Sequence, residues 1–408
     1  MRTQLLKACL MILLPGVMLS QENAPKPAKT PYFNFKNGIG LATPDSSYSL
    51  NIRVRVQNRV LMNTASDKDL SPASFEARVR RCRLIFGGHV INPKLTYYIQ
   101  FSFSRGDMDW SVADVTTLNT SPNIVRDAMI FYKPVHNLQI GFGQGKLPGN
   151  RQRITSSGAL QFYDRSIVNV NFTTDRDFGF FMVYTAKIAK QFLIVPRLAV
   201  TSGEGRNSAL SNPGLAYTAR LELLPLGAFT DYGDYFEGDV VHEAKPKISL
   251  AGGYQLNDLA VRSGGQLGRD MYGAKSYNVY MADFVFKYMG AALTAEYIRR
   301  DTDGSPIVHG SDGKNRNFVT GDGINVQLSY CFKSQWELAT RYSLVSPHHD
   351  VRALVRQNEQ YGVGVTKYLN RHKVKVQGNV FYNTERDLIA AKNMNKYFFA
   401  VFQVELGI

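Results

Sequence analysis

From Tyr48 onward the chain alternates apolar and polar residues one by one. Tyr48, Leu50, Ile52, Val54, Val56 and Val60 share one parity, and Asn51, Arg53, Arg55, Gln57 and Arg59 the other. Side chains of a strand point alternately to its two faces, so this stretch is a long strand with one apolar and one cationic face. The pattern recurs through Leu95, Tyr97, Ile99, Phe101 and Phe103, through Val374, Val376, Val380 and Tyr382, and from Phe398 to Ile408. Strands of soluble proteins run about five or six residues, whereas a strand crossing a bilayer needs about 9–11 at its tilt. These stretches run to about ten or more, which favours a membrane barrel. A soluble sandwich also alternates, and the first strand alone fits either.

The connections separate the two. About sixteen strands are expected, at 47–62, 75–91, 94–105, part of 110–132, 137–145, 176–187, 190–202, 213–224, 247–256, 276–288, 290–300, 322–333, 335–345, 358–369, 371–384 and 395–408. After even strands come tight turns, among them Asn92-Pro93, Pro134-Val135, Ile188-Ala189, Met289-Gly290, Lys333-Ser334 and Leu369-Asn370. After odd strands come long polar loops: Ala65 to Ser74, Ser202 to Pro213, Leu259 to Lys275, Asp301 to Gly321 and Arg386 to Asn395. Pro225 to Pro246 is the exception, a long connection on the short-turn side. An outer-membrane barrel keeps this parity, with short turns periplasmic, and a sandwich has no reason to. Closure also pairs every backbone N–H and C=O, which lipid cannot do. Tyr97, Tyr132, Tyr288, Trp336, Tyr368 and Tyr397, near strand ends, suit the aromatic girdles of the two interfaces. The fold class is all-β, a transmembrane antiparallel β-barrel.

Arg2 and Lys7, the apolar run Ala8 to Leu19 and the small Ser20 read as a signal peptide over residues 1–20. A periplasmic linker is expected over 21–46 and the barrel over 47–408. That address is the outer membrane of a Gram-negative bacterium. After the signal no run of about 18 uninterrupted apolar residues recurs, which excludes a helical bundle. Cys9, Cys82 and Cys331 form no CxxC pair and have no ligand-like spacing. A disulfide scaffold and a structural zinc are not expected, and Cys82 and Cys331 should be unpaired.

The formal charge is +15, a balance that suits nucleic acid, anionic lipid or an anionic solute. In an exported barrel embedded in outer-membrane lipid, small anions are the partner of choice and nucleic acid is not. The bases are unevenly placed. Arg53, Arg55 and Arg59 lie on the polar face of strand one; Arg78, Arg80, Arg81 and Arg83 lie on strand two; Arg371, Lys373 and Lys375 lie on strand fifteen near the closing seam. Guanidinium presents a planar fork of donors suited to phosphate, sulfate or carboxylate. Arg78 and Arg80 have the opposite parity to Arg81 and Arg83, so both sets face the lumen only across a β-bulge; otherwise one pair meets lipid at about 2–4 kcal/mol per Arg. The plain alternative is a wide, non-selective channel lined by solvated charges.

Gly143-Gln144-Gly145-Lys146-Leu147-Pro148-Gly149 is followed by Arg151, Arg153, Ser156 and Ser157, then by Phe162-Tyr163-Asp164-Arg165-Ser166 and Arg176-Asp177-Phe178-Gly179. With Asp45-Ser46-Ser47-Tyr48, Arg55-Val56-Gln57, Arg80-Arg81-Cys82-Arg83 and Arg126-Asp127-Ala128, these residues resemble the phosphate-selective porin O and P family over roughly 38–230. The resemblance implies a sixteen-stranded barrel, usually a homotrimer, whose third long loop folds inward as a constriction. That loop corresponds to residues near 146–175. It also implies that loop and wall bases bind anions such as phosphate, with Arg151, Arg153 and Arg165 as candidates and Lys146 at the rim. Asp164, Asp175 and Asp177 stand beside them and can neutralise them.

No Ser/His/Asp order or H-x-x-x-H spacing forms among the seven histidines, so neither an enzyme nor a cofactor is expected. The function expected is passive diffusion of small anionic solutes. A barrel serving as a surface adhesin or structural protein is the alternative.

Overall fold

The computed structural model describes residues 32–35, 37–104, 124–208 and 212–408. Sixteen long antiparallel strands form the wall: β1 (Ser49–Thr64), β2 (Pro72–Val90), β3 (Asn92–Ser102), β4 (Val125–Tyr132), β5 (Leu138–Lys146), β6 (Arg176–Tyr184), β7 (Leu193–Thr201) and β8 (Ala216–Leu224). The second half comprises β9 (Lys247–Arg262), β10 (Asp270–Tyr288), β11 (Ala291–Thr302), β12 (Gly321–Cys331), β13 (Trp336–Pro347), β14 (Gln357–Asn370), β15 (Val374–Asp387) and β16 (Lys392–Gly407). Each pairs with its neighbours, and β16 returns to β1 from Phe399 opposite Asn63 to Gly407 opposite Arg55, closing the barrel.

The wall is inside-out by the standards of a soluble protein. Phe180, Leu328, Leu338, Val363 and Phe402 are exposed, while Gln57, Gln255, Asn325, Gln377 and Gln403 are buried. That distribution satisfies lipid outside and a polar lumen within. Of the expected girdle, Tyr132, Tyr288 and Trp336 are exposed, whereas Tyr368 is buried, donating to Glu337, and Tyr397 packs against Phe399. Their positions near strand ends did not reveal their parity.

The bulge on β2 is present. Gln57 faces Arg81 and Asn58 faces Val79, so one residue is inserted and both arginine sets reach the lumen side. The turns β10–β11 and β12–β13 are tight, the first using positive φ at Met289 (46°) and Gly290 (92°), the geometry that matches hairpin twist. At the other rim β9 and β10 run beyond their expected ends into the segment read as loop, through Ala260 opposite Lys275 to Arg262 opposite Asp270. Their polar residues continue the ladder past the apolar belt, so hydropathy alone misplaces the boundary.

The signal segment lies outside the described residues. Within the expected linker, two short strands, Tyr32–Asn34 and Ile39–Ala42, pair with each other, and the second lies along β1 from Ile39 opposite Ile52 to Ala42 opposite Ser49. Cys82 and Cys331 are free thiols.

Two connections turn into the barrel. Residues 147–175, between β5 and β6, carry the short helices α1 (Arg151–Ile154) and α2 (Ile167–Phe172). Ser166 caps α2 by accepting from the Asn169 N–H, and Val168 and Phe172 pack against Tyr277, Val279, Ile298 and Phe318. The second connection, 225–246, rises from the short-turn rim through a 3-10 turn at Thr230–Tyr235. Phe229 anchors it against Val195, Leu224 and Val285.

Candidate functional site

The inner loop is riveted to the wall by the bases that sequence marked out. Arg55 Nη2 donates to Ser157 Oγ at 2.6 Å and Arg83 Nη1 to the same oxygen at 3.0 Å. Lys375 donates to the carbonyls of Gly158 (3.0 Å) and Leu160 (2.5 Å). Asp164 accepts from Arg81 at 2.8 Å and pairs with Arg80 at 3.0 Å and Arg59 at 3.5 Å. Burial opposes ionisation of Asp164, but Arg81, Arg80 and Arg59 outweigh it and hold its carboxyl well below the usual range.

The loop's own bases divide. Arg151 is buried and bound to Asp283 (2.9 Å), Ser249 (2.9 Å) and the Asp234 carbonyl (3.2 Å). Arg165 donates to the carbonyls of Gln152 (2.5 Å) and Thr155 (2.8 Å), and Lys146 to those of Ile154 (3.2 Å) and Thr155 (3.3 Å). These three shape the loop. Arg153 is different: it pairs with Asp175, and Arg176, Arg165, Arg126 and Arg206 surround it. Its burial, and then that crowd of like charge, push its pKa well down.

The remaining candidates lie apart. Arg78 pairs with Glu76 at 2.6 Å, both half-exposed. Lys373, in the β14–β15 turn, donates to Asn37 at 2.9 Å. Arg53 sits 6.0 Å from the Tyr98 ring centroid. Arg126, Arg176 and Arg206 went unassigned in the sequence, although Arg126-Asp127 and Arg176-Asp177 lie in the motifs quoted above. Arg176 makes a two-pronged bond to Asp127, at 2.8 and 3.1 Å. Within the cluster of Arg126, Arg153, Arg176 and Arg206, Arg153 pairs with Asp175, and Arg176 with both Asp127 and Asp175.

Beneath the loop a cavity of about 1690 Å³ extends to the short-turn rim along β3–β7. Lys94, Lys133 and Lys187 stand exposed at its mouth, and Lys146 and Arg197 lie within it. Single lysines at the ends of strands and in a turn carry no periodic signal, so the sequence does not mark the mouth.

A family model for phosphate-selective porin O and P matches residues 50–402. The chain belongs to that family. It is an outer-membrane porin, and the pore runs inside the wall described above. Comparison with curated proteins finds no match. Among solved structures, a loop L8 deletion mutant of the outer membrane protein OmpT of Vibrio cholerae superposes with a TM-score of 0.54 at 12% identity, covering 89% of this chain and 100% of that one. The outer membrane channel DcaP of Acinetobacter baumannii gives 0.52 at 11%, covering 88% and 98%. OmpF of Salmonella typhi, in complex with daunomycin, gives 0.52 at 15%, covering 89% and 98%. At these identities the likeness is one of fold.

Proposed function

We propose that this porin passes small anions by passive diffusion, phosphate among them, along an off-centre route between the inner loop and the β3–β7 wall. The observation that carries the reading is the arginine cluster Arg126, Arg153, Arg176 and Arg206, set above a cavity whose mouth bears Lys94, Lys133 and Lys187. A low-dielectric wall focuses that field along the route. Passage needs several weak sites, because a solute held by one tight site does not leave. On this reading residues 147–175 are the constriction, and the rim carrying the short turns is periplasmic. The assembly is a homotrimer in outer-membrane lipid, as the family resemblance implies. The chain acts as a channel and not as an enzyme, and needs no cofactor.

The filled lumen favours a second reading, a barrel that serves as a structural or adhesive surface protein. Reconstitution in a planar bilayer separates the two. The proposal expects discrete current steps and, in a potassium chloride gradient, a reversal potential on the chloride side. Absence of steps supports the structural reading. A reversal potential on the potassium side removes the anion preference and leaves the porin.

A further inference from the structure

The cavity beneath the inner loop is built of two materials, and a bare oxyanion uses one of them. Among the cations on its lining are Lys133, Lys146 and Arg197, with Asp127 the acid there, and between them stands a group of apolar and aromatic side chains. Met129 and Phe131 on β4 share the inward parity of buried Asp127, because Ile130 and Tyr132 beside them face outward and are exposed. Phe181 on β6 lies opposite Gly141 on β5, and Gly141 opposite Phe131. A Cβ at Gly141 would come within 2.9 Å of the Phe131 ring, and one at Gly145 within 2.8 Å of Met129 Sδ. Both glycines thus let the Phe131 ring and the Met129 thioether lie directly on bare backbone, and a side chain at either position would push these cavity-lining groups aside. Tyr98 and Tyr235 add two more rings, with the Arg53 guanidinium 6.0 Å and the Arg197 guanidinium 5.4 Å from the respective centroids.

Apolar rings bordering a wet cavity lose free energy to water and regain it when an apolar surface covers them. Phosphate or chloride has no such surface. A flat organic anion has one, and small-ligand sites combine apolar walls with a few charged groups in this way. We propose that the cavity is a binding site for aromatic carboxylates, the ring lying against Phe131, Phe181 and Met129 and the carboxylate directed to Lys133 and Arg197. This rests on the anion-porin reading and adds a solute class to it. Two protons of Lys146 already go to loop carbonyls, so it supplies field more than contact; Arg197 donates Nε–H to Glu222 at 3.4 Å and one Nη2 proton to Tyr235 at 2.5 Å, and offers the carboxylate its other N–H groups.

Benzoate and acetate present the same charged group with and without a ring. For the full-length trimeric or monomeric protein as purified in detergent, calorimetry is expected to give benzoate an affinity about three- to tenfold above acetate, the size of one aromatic pair. Phe131→Leu and Phe181→Leu, which keep apolar volume and remove the ring, should bring benzoate down to acetate. Lys133→Gln should weaken both anions alike. In bilayers, benzoate added on the short-turn side should reduce chloride current at correspondingly lower concentration than acetate. Equal affinities in the wild type, or leucine variants that retain the preference, overturn the proposal. Calorimetry reads binding whether or not the barrel conducts. A protein that binds benzoate but passes no current therefore refutes the channel and keeps the site, whereas one that conducts chloride without preferring benzoate does the reverse.

Discussion

Three guanidiniums of the wall converge on the carboxylate of Asp164. Removing the charge while keeping the shape, by Asp164→Asn, leaves Arg59, Arg80 and Arg81 facing one another. A fully buried pair broken on one side loses about 3–5 kcal/mol, and the partial exposure of Asp164 places its loss below that range. Reversal potentials should shift toward anions, and chemical denaturation should begin earlier; an unchanged potential would sink this role. The carboxyl's pKa is depressed in the folded state, so its contribution is complete above the ordinary value of about 3.9 and disappears as pH falls through the lower folded value. Conductance should therefore hold steady from pH 7 to about 4 as far as this group is concerned, and open up only below. Arg151→Ala and Arg153→Ala, which look equivalent in sequence, should part company. Arg151→Ala frees Ser249 and leaves Asp283 to Arg220, which binds both its oxygens at 2.7 and 3.0 Å, and should give noisier, larger steps with little change of selectivity, whereas Arg153→Ala should move the reversal potential toward potassium. Identical phenotypes would contradict the division drawn from their contacts. Which base meets an acid was not legible: Asp164 and Arg81 are 83 residues apart, and only the fold brings them together.

At the scale of elements, the two inward connections hold each other. The Glu237 N–H donates to the Ala159 carbonyl at 2.8 Å, and its carboxylate accepts from Gln152 (2.9 Å) and the Gln161 N–H (3.0 Å). Lys287 donates to the carbonyls of Gly233 and Phe236, both at 2.8 Å, and to that of Gly238. The segment brings Asp231, Asp234, Glu237, Asp239 and Glu243 against one base, Lys245. Replacing residues 225–246 by an Asn-Gly turn, which suits a two-residue hairpin, should leave the barrel intact, enlarge the single-channel conductance and strengthen anion preference, since five acids depart and Lys287 is uncovered. Unchanged conductance in bilayers would show that the segment lies off the path. Its length was visible in the sequence as a break in loop parity, but its direction was not: polar residues at a rim look alike whether they turn toward water outside or toward water in the lumen. For the same reason, only the family resemblance implies that the inner loop folds inward.

For the whole molecule, strand number and loop parity were legible because a period of two and a turn are local properties, and a closed wall follows from them. The long loops containing residues 303–320 and His348-His349 belong to the rim opposite the short turns. Epitope tags there should label intact cells; labelling only after permeabilisation would invert the assignment. One feature of the wall bears on how it is made. The inner loop's middle is bonded to both sides of the closing seam: Gln377 Nε2 reaches the Gln161 carbonyl at 2.7 Å from β15, Arg55 reaches Ser157 from β1, and Glu405 on β16 lies 3.5 Å from Arg55 and 3.7 Å from Lys375. The last strand thus meets the first over a crossbar spun from the middle of the chain. A sheet curling in the membrane ends at a seam that this crossbar braces from within, and cutting it would leave a vessel whose staves are sound and whose hoop is gone.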